Sequence, residues 1–387
     1  MDDQATTRDG AAEPFRIGIP QEDLDDLRDR LARTRWPDQL PGVGWDYGIA
    51  LEYVQDLAAY WRTGYDWRAQ EQRLNAFPQF TTIVDGQRVH FLHVRSAELD
   101  ALPLIITHGW PGSIAEFLNI IGPLTDPVAY GGDGADAFHL VVPSIPGFGF
   151  SGPTTDTGWN VRRIAGAWDE LMRRLGYQRY GAQGGDWGSG ISRELGLAFP
   201  GHLVGVHLNT LYTPVPSGEA GRLTGDEKAR HDAEQSFRST GIGYLLVQAT
   251  RPQTLAYALT DSPAGQLAWI TEKFGEWTDG GLPDEAVDRD QLLTNVMLYW
   301  LTGTAGSSAR LYYEGARAGA WDPPTRSTAP TGVAVFPHDI APPIRRLAEL
   351  SNNIVHWSEF EHGGHFAAME VPDLLVGDVR EFFGHLR

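Results

Sequence analysis

The chain has no cysteine. Disulfides, thiolate metal sites and cysteine nucleophiles are excluded, and the absence suits a cytoplasmic protein. Nor does any run approach the roughly 18 uninterrupted apolar residues of a membrane span. The opening MDDQATTRDGAAEP lacks the apolar core of a secretory signal. Basic residues are scarce: 31 Lys and Arg stand against 50 Asp and Glu, a net charge of −19 at pH 7. Such a surface repels phosphate backbones and anionic bilayers, so neither nucleic acid nor membrane is expected as a partner. What is present is globular: 42% of the 387 residues are hydrophobic and 21% charged. That length predicts one large body plus an inserted piece.

Residues 1–13 read as a disordered tail. In the segment from residue 14 to 80, Leu24, Leu27 and Leu31 keep helical spacing. Acids at Glu22 and Asp23 and bases at Arg30 and Arg33 suit the dipole of that helix. The aromatics Trp45, Tyr47, Tyr53, Tyr60, Trp61, Tyr65 and Trp67 are expected to pack against the body. From residue 81 the period changes. Two alternating runs flank Asp85-Gly86, a hairpin signal. Short apolar strands then alternate with helices, each strand ending in a glycine- or proline-rich turn. This pattern indicates an α/β fold with a mostly parallel central sheet flanked by helices, spanning residues 81–212 and 321–387. Residues 213–320, richer in helix formers and aromatics, interrupt it as a helical cap.

Three loops carry chemistry. Gly184-Gly185-Asp186-Trp187-Gly188 lies between a strand and a helix and has the G-x-nucleophile-x-G form of the α/β-hydrolase elbow, with Asp186 where serine would stand. A carboxylate is already ionised at pH 7 and needs no base to attack an sp³ carbon. The alkyl ester it leaves must be cleaved by water, which requires a histidine base. His365, in Glu361-His362-Gly363-Gly364-His365-Phe366, has the expected place in chain order, with His362 a nearby competitor. Asp339, just after the preceding strand, is the expected partner that orients the imidazole; Asp322 and Glu361 are weaker choices. The turn His108-Gly109-Trp110-Pro111-Gly112 follows the first long apolar strand. With the residue after the nucleophile it supplies an oxyanion hole, assigned to the backbones of Trp110 and Trp187, with His108, Gly109, Pro111 and Gly185 shaping the two turns. This chemistry calls for no cofactor and no metal.

These motifs together, with Phe15-Arg16-Ile17 through Arg33-Thr34-Arg35-Trp36-Pro37-Asp38, resemble the microsomal-type epoxide hydrolases from about Pro14 to Arg387. The resemblance implies an N-terminal segment wrapped around the hydrolase body and hydrolysis of a small-molecule epoxide to a vicinal diol. It also implies two cap tyrosines that donate to the epoxide oxygen. Tyr244 matches the first, and Tyr312 the second, with Tyr313 an adjacent rival. The chain is similar to soluble microbial members, some of which act in secondary metabolism such as antibiotic biosynthesis and others in detoxification; a homodimer is compatible with the likeness. Its preference for Arg over Lys suggests a GC-rich genome and raises the biosynthetic role. Two other readings stay open: a haloalkane or haloacid dehalogenase of the same fold, and an inactive homologue that binds a small molecule.

Overall fold

The computed structural model describes residues 10–216, 218–322 and 324–387. Residues 1–9 of the expected disordered tail lie outside them. The remainder of that tail is not loose. Gly10 accepts a hydrogen bond from Thr82 Oγ1 at 3.3 Å, and Glu13 begins an edge strand.

Nine strands form one sheet: β1 (Glu13–Phe15), β2 (Gln79–Val84), β3 (Gln87–Val94), β4 (Leu102–Thr107), β5 (Phe138–Pro143), β6 (Tyr180–Gly184), β7 (Leu203–Leu208), β8 (Pro330–Val335) and β9 (Asn353–Glu359). Their spatial order is β1-β2-β3-β5-β4-β6-β7-β8-β9. The first four in that order pair antiparallel and the rest run parallel. The β2–β3 hairpin turns at Asp85 and Gly86, both with positive φ, as the Asp-Gly pair dictates. Every residue of β5 and β7 is buried, the signature of parallel strands covered on both faces.

Helices α1 (Gln21–Ala32), α2 (Leu51–Thr63) and α3 (Trp67–Leu74) precede the hairpin. The body adds α4 (Leu118–Thr125), α5 (Val161–Arg174) and α6 (Asp186–Ala198). The inserted helices are α7 (Gly225–Ser236), α8 (Gly243–Thr250), α9 (Pro252–Asp261), α10 (Pro263–Trp277), α11 (Pro283–Ala286), α12 (Arg289–Thr302), α13 (Ala305–Ser308) and α14 (Arg310–Arg317). The chain closes with α15 (Arg345–Ser351), α16 (Ala367–Glu370) and α17 (Pro372–Gly384). Helices α5 and α6 pack together, as do α4 and α17. From β4 the chain crosses outward to β5 and then returns to β6 on the other side of β4. That reversal opens a crevice at the carboxyl ends of β4 and β6, where open α/β sheets bind their ligands.

The N-terminal segment does more than border the body. Its outer helices fasten the inserted ones. Tyr53 Oη donates to Asp284 at 2.9 Å and Tyr60 Oη to Asp290 at 2.7 Å, and Tyr65 Oη pairs with Thr294 at 2.9 Å. Trp45 packs on α10, its ring 2.9 Å from where a Cβ on Gly275 would stand. One of the expected packing aromatics departs from the pattern: Tyr47 is 78% exposed. None of the helices among the described residues is long and apolar enough to cross a membrane.

Away from the crevice, α17 is latched to the sheet by one buried carboxylate. Asp378 accepts from His207 Nε2 on β7 at 2.7 Å and from His356 Nε2 on β9 at 2.8 Å, and it also bonds the Ser358 hydroxyl. Burial pushes this carboxyl up, but the donors outweigh it and hold it down at about 2. A carboxyl lowered on folding stabilises the native state above its unfolded value near 4. That contribution disappears as pH falls towards 2. Asp378→Asn is expected to cost about 2 kcal/mol at pH 7, read by denaturant unfolding, with the deficit narrowing below pH 4.

Candidate active site

The crevice brings the three loops together. Asp186 opens α6, with only Gly185 between it and the end of β6, and has φ of +49°, a left-handed conformation that costs a non-glycine residue energy. The elbow is possible because its neighbours are small: a Cβ on Gly188 would stand 1.9 Å from the carbonyl oxygen of Thr107. Across the crevice, a Cβ on Gly109 would lie 2.1 Å from Asp186 Oδ1, so the β4 turn must present bare backbone there. The N–H of Trp110 donates to Asp186 Oδ1 at 2.8 Å, and that of Trp187 also stabilises the carboxylate.

His365 Nε2 stands 3.6 Å from Asp186 Oδ2, and His365 Nδ1 is 2.5 Å from Asp339 Oδ1. Asp339 also accepts from Thr210 Oγ1 at 2.9 Å and from the N–H of Ile340 at 2.7 Å, so both of its oxygens are fixed. Burial alone would lower the His365 imidazole, but the carboxylates of Asp339 and then Asp186 lift it to about 9. Burial pushes Asp186 above the usual carboxylate range, against the pull of His365 and the two N–H groups. The competitor His362 is exposed and lies 3.5 Å from Asp279.

His108 lies under the turn. It is fully buried, its Nδ1 is 2.9 Å from the Gly109 carbonyl, and its Nε2 accepts the Ile145 N–H at 3.2 Å. Burial lowers it to about 4, so it is neutral and ties the turn to the loop after β5. The Trp110–Pro111 peptide is cis.

The tyrosines come from the inserted helices. A single π-helical turn, Phe237–Gly241, leads into α8 and Tyr244; such turns recur at functional sites. Tyr244 stacks on Trp110 with ring centroids 5.1 Å apart. Tyr312 stands edge-on to Trp187 at 4.9 Å and to Tyr244 at 5.9 Å. Tyr313 is instead covered by the Arg317 guanidinium and joins no ring of this cluster. Burial, with the charge of Asp186 adding to it, holds both Tyr244 and Tyr312 well above the ordinary phenol range.

Several residues here were missed in the sequence. Asn295 Nδ2 donates to the Pro111 carbonyl at 2.7 Å, and Tyr299 Oη to that of Gly112 at 2.6 Å. Trp277 accepts the His365 N–H at 2.8 Å through its carbonyl and packs its ring at 5.0 Å from the imidazole. Glu116, buried, and Glu370, half-buried, are acids beside the loops. A charged residue alone in an apolar run, as in Ile114-Ala115-Glu116-Phe117, is the one signal that could have exposed them.

Two family models match the chain: "Epoxide hydrolase N terminus" over residues 12–117 and "alpha/beta hydrolase fold" over residues 103–224. A Stigmatella aurantiaca protein named "Putative epoxide hydrolase" is 49% identical over 97% of this chain and 85% of its own. Epoxide hydrolase 1 of Sus scrofa is 37% identical over 99% and 90%. The crystal structure of juvenile hormone epoxide hydrolase from the silkworm Bombyx mori superposes with a TM-score of 0.90 at 32% identity, covering 98% of this chain and 95% of that one. For the Aspergillus niger epoxide hydrolase the values are 0.86 and 34%, with 97% of each chain covered.

The site's electrostatics are open to direct measurement. By NMR the His365 imidazole should titrate near 9. In Asp339→Asn, which removes the largest influence raising it, the midpoint should drop below about 8. An unchanged midpoint would mean that Asp339 does not set the imidazole's charge.

Proposed function

Because this chain belongs to the epoxide hydrolase family, in its microsomal-type branch, we propose that it converts a small-molecule epoxide to a vicinal diol through an ester on Asp186. The observation that carries this reading is the carboxylate of Asp186, with one oxygen on the Trp110 N–H at 2.8 Å and the other 3.6 Å from His365. A serine hydrolase would need the base to activate its nucleophile; here the histidine is left free to serve water.

The geometry divides the two oxygens of Asp186. Oδ2 attacks a ring carbon, the carbon–oxygen bond of the epoxide breaks, and the departing oxygen takes a proton from Tyr244 or Tyr312. Both phenols are neutral at pH 7, and an alkoxide is basic enough to deprotonate them. The product of this step is a hydroxyalkyl ester. Its carbonyl oxygen is Oδ1, already placed on the Trp110 donor.

Esterification erases the charge of Asp186, one of the influences that keep His365 protonated. The imidazole therefore loses affinity for its proton when a base is needed, and that proton passes through water to the phenolate left by ring opening, which restores the tyrosine. Water attacks the ester carbon and passes a proton to Nε2. The negative charge gathers on Oδ1, beneath the N–H groups of Trp110 and Trp187. Collapse breaks the ester bond and the leaving diol oxygen takes the proton from His365. The new carboxyl of Asp186, carrying one oxygen from water, then gives its remaining proton to His365, which restores both the carboxylate and the imidazolium. Asp339 holds the imidazole in register throughout.

Styrene oxide assayed for diol and a bromoalkane assayed for halide separate the proposal from a dehalogenase. Diol formation is expected, whereas halide release alone would refute it. Asp186→Ala should abolish diol formation. His365→Gln should accumulate a species heavier than the protein by one substrate molecule, read on the intact protein. Tyr244→Phe and Tyr312→Phe should each slow kcat/KM by roughly 10- to 100-fold, since the other phenol remains, and the double change by about 10⁴-fold.

A further inference from the structure

Glu116 follows the oxyanion turn on a short 3₁₀ turn, Ile114–Phe117, and the mechanism above does not use it. It is 7% exposed, and no hydrogen-bond donor among the described residues meets its carboxyl. Burying an unpaired carboxylate is expensive, and such groups ordinarily gain a partner or a proton. Burial lifts this one to about 8, so at pH 7 it is a neutral acid.

Its position is fixed by its neighbours. A Cβ on Gly112 would stand 2.4 Å from Glu116 Oε2, so the carboxyl fills space left by the glycine directly after Pro111. The same turn presents the Trp110 N–H to Asp186. The 3₁₀ turn packs against α16, the helix immediately after His365. The charges of His365 and Asp186 act on the Glu116 carboxyl, and an ionised Glu116 would act in turn on His365 and Tyr299. An acceptor without a partner is thus held against the turn that carries the Trp110 N–H and beside the helix that follows His365.

We propose that Glu116 is a positioning residue for the hydrolytic water, accepting one of its O–H groups while His365 Nε2 accepts the other. The arrangement leaves a lone pair on the water oxygen free for the ester carbon of Asp186. A neutral carboxyl suits this task, because an anion there would add to the charges that keep His365 protonated. The inference rests on the two-step scheme above.

The scheme gives the role a signature. A group that places the water for ester hydrolysis affects the second step and leaves alkylation alone. Glu116→Leu, which removes the acceptor and keeps an apolar residue of similar size, should lower kcat by roughly 10- to 100-fold. KM should fall in parallel, kcat/KM should stay near the wild-type value, and the ester should accumulate on intact protein during turnover. Glu116→Gln retains a neutral carbonyl acceptor and should restore most of kcat. Glu116→Met serves as a second deletion if the leucine lowers the melting temperature. Ester decay at the wild-type rate in the deletions would overturn the proposal, as would an equal loss of kcat/KM that glutamine does not rescue. Absence of any ester in His365→Gln would instead overturn the two-step scheme itself, so the two failures are told apart.

Discussion

A half-buried carboxylate facing a backbone N–H is the contact around which this molecule is arranged. The Trp110 donor reaches Asp186 only because Gly109 carries no side chain and because Asp186 accepts a left-handed backbone. Two influences on that carboxylate then oppose each other in a useful way. Burial raises the basicity of the carboxylate, which favours the nucleophilic role proposed for it, while the N–H groups and His365 keep it charged. A more exposed aspartate would be easier to ionise and a poorer attacker.

The rigidity of that contact comes from a distance. Asn295 and Tyr299 on α12 hold the carbonyls of Pro111 and Gly112 from above. Trp277, closing α10, holds the backbone of His365, and Asp279 just beyond it accepts the Gly363 N–H at 3.0 Å. Helix α12 is in turn fastened by Tyr60 and Tyr65, its neighbour α11 by Tyr53, and α10 by the packed ring of Trp45. The order of support therefore runs from the N-terminal segment through the inserted helices to the oxyanion turn and the histidine loop. The sheet supplies the crevice, and the cap fixes the geometry inside it.

Much of this was legible because the chemistry-bearing residues lie in turns with strong local grammar. Glycines around Asp186 and His365 mark backbone that must turn tightly, and the place of Asp339 directly after a strand is a topological rule. What local pattern could not supply was contact between distant segments. The resemblance prefers Tyr312 to Tyr313, but that the first faces Trp187 and the second Arg317 is visible only in the packed helix. Glu116 reads as one acid among 50 until its neighbours appear. The aromatic stretch from Trp45 to Trp67 was expected to lie on the body. Its hydroxyls instead reach the inserted helices, because pairing across more than 200 positions leaves no periodic trace.

The fastening of α12 by the first quarter of the chain bears on how such enzymes diversify. An insertion looks like a module, free to be exchanged between hydrolases so that one body acquires a new pocket. Here the insertion is a three-party structure. Its inner face completes the turn that presents the Trp110 N–H, and its outer face is finished by residues encoded more than 200 positions earlier. Grafted onto a body lacking those residues, the same helices would bring their aromatics but leave Asp284, Asp290 and Thr294 without partners. Insertion and N-terminal segment are therefore one structural unit, and exchanging the first without the second would break the pairs that hold it.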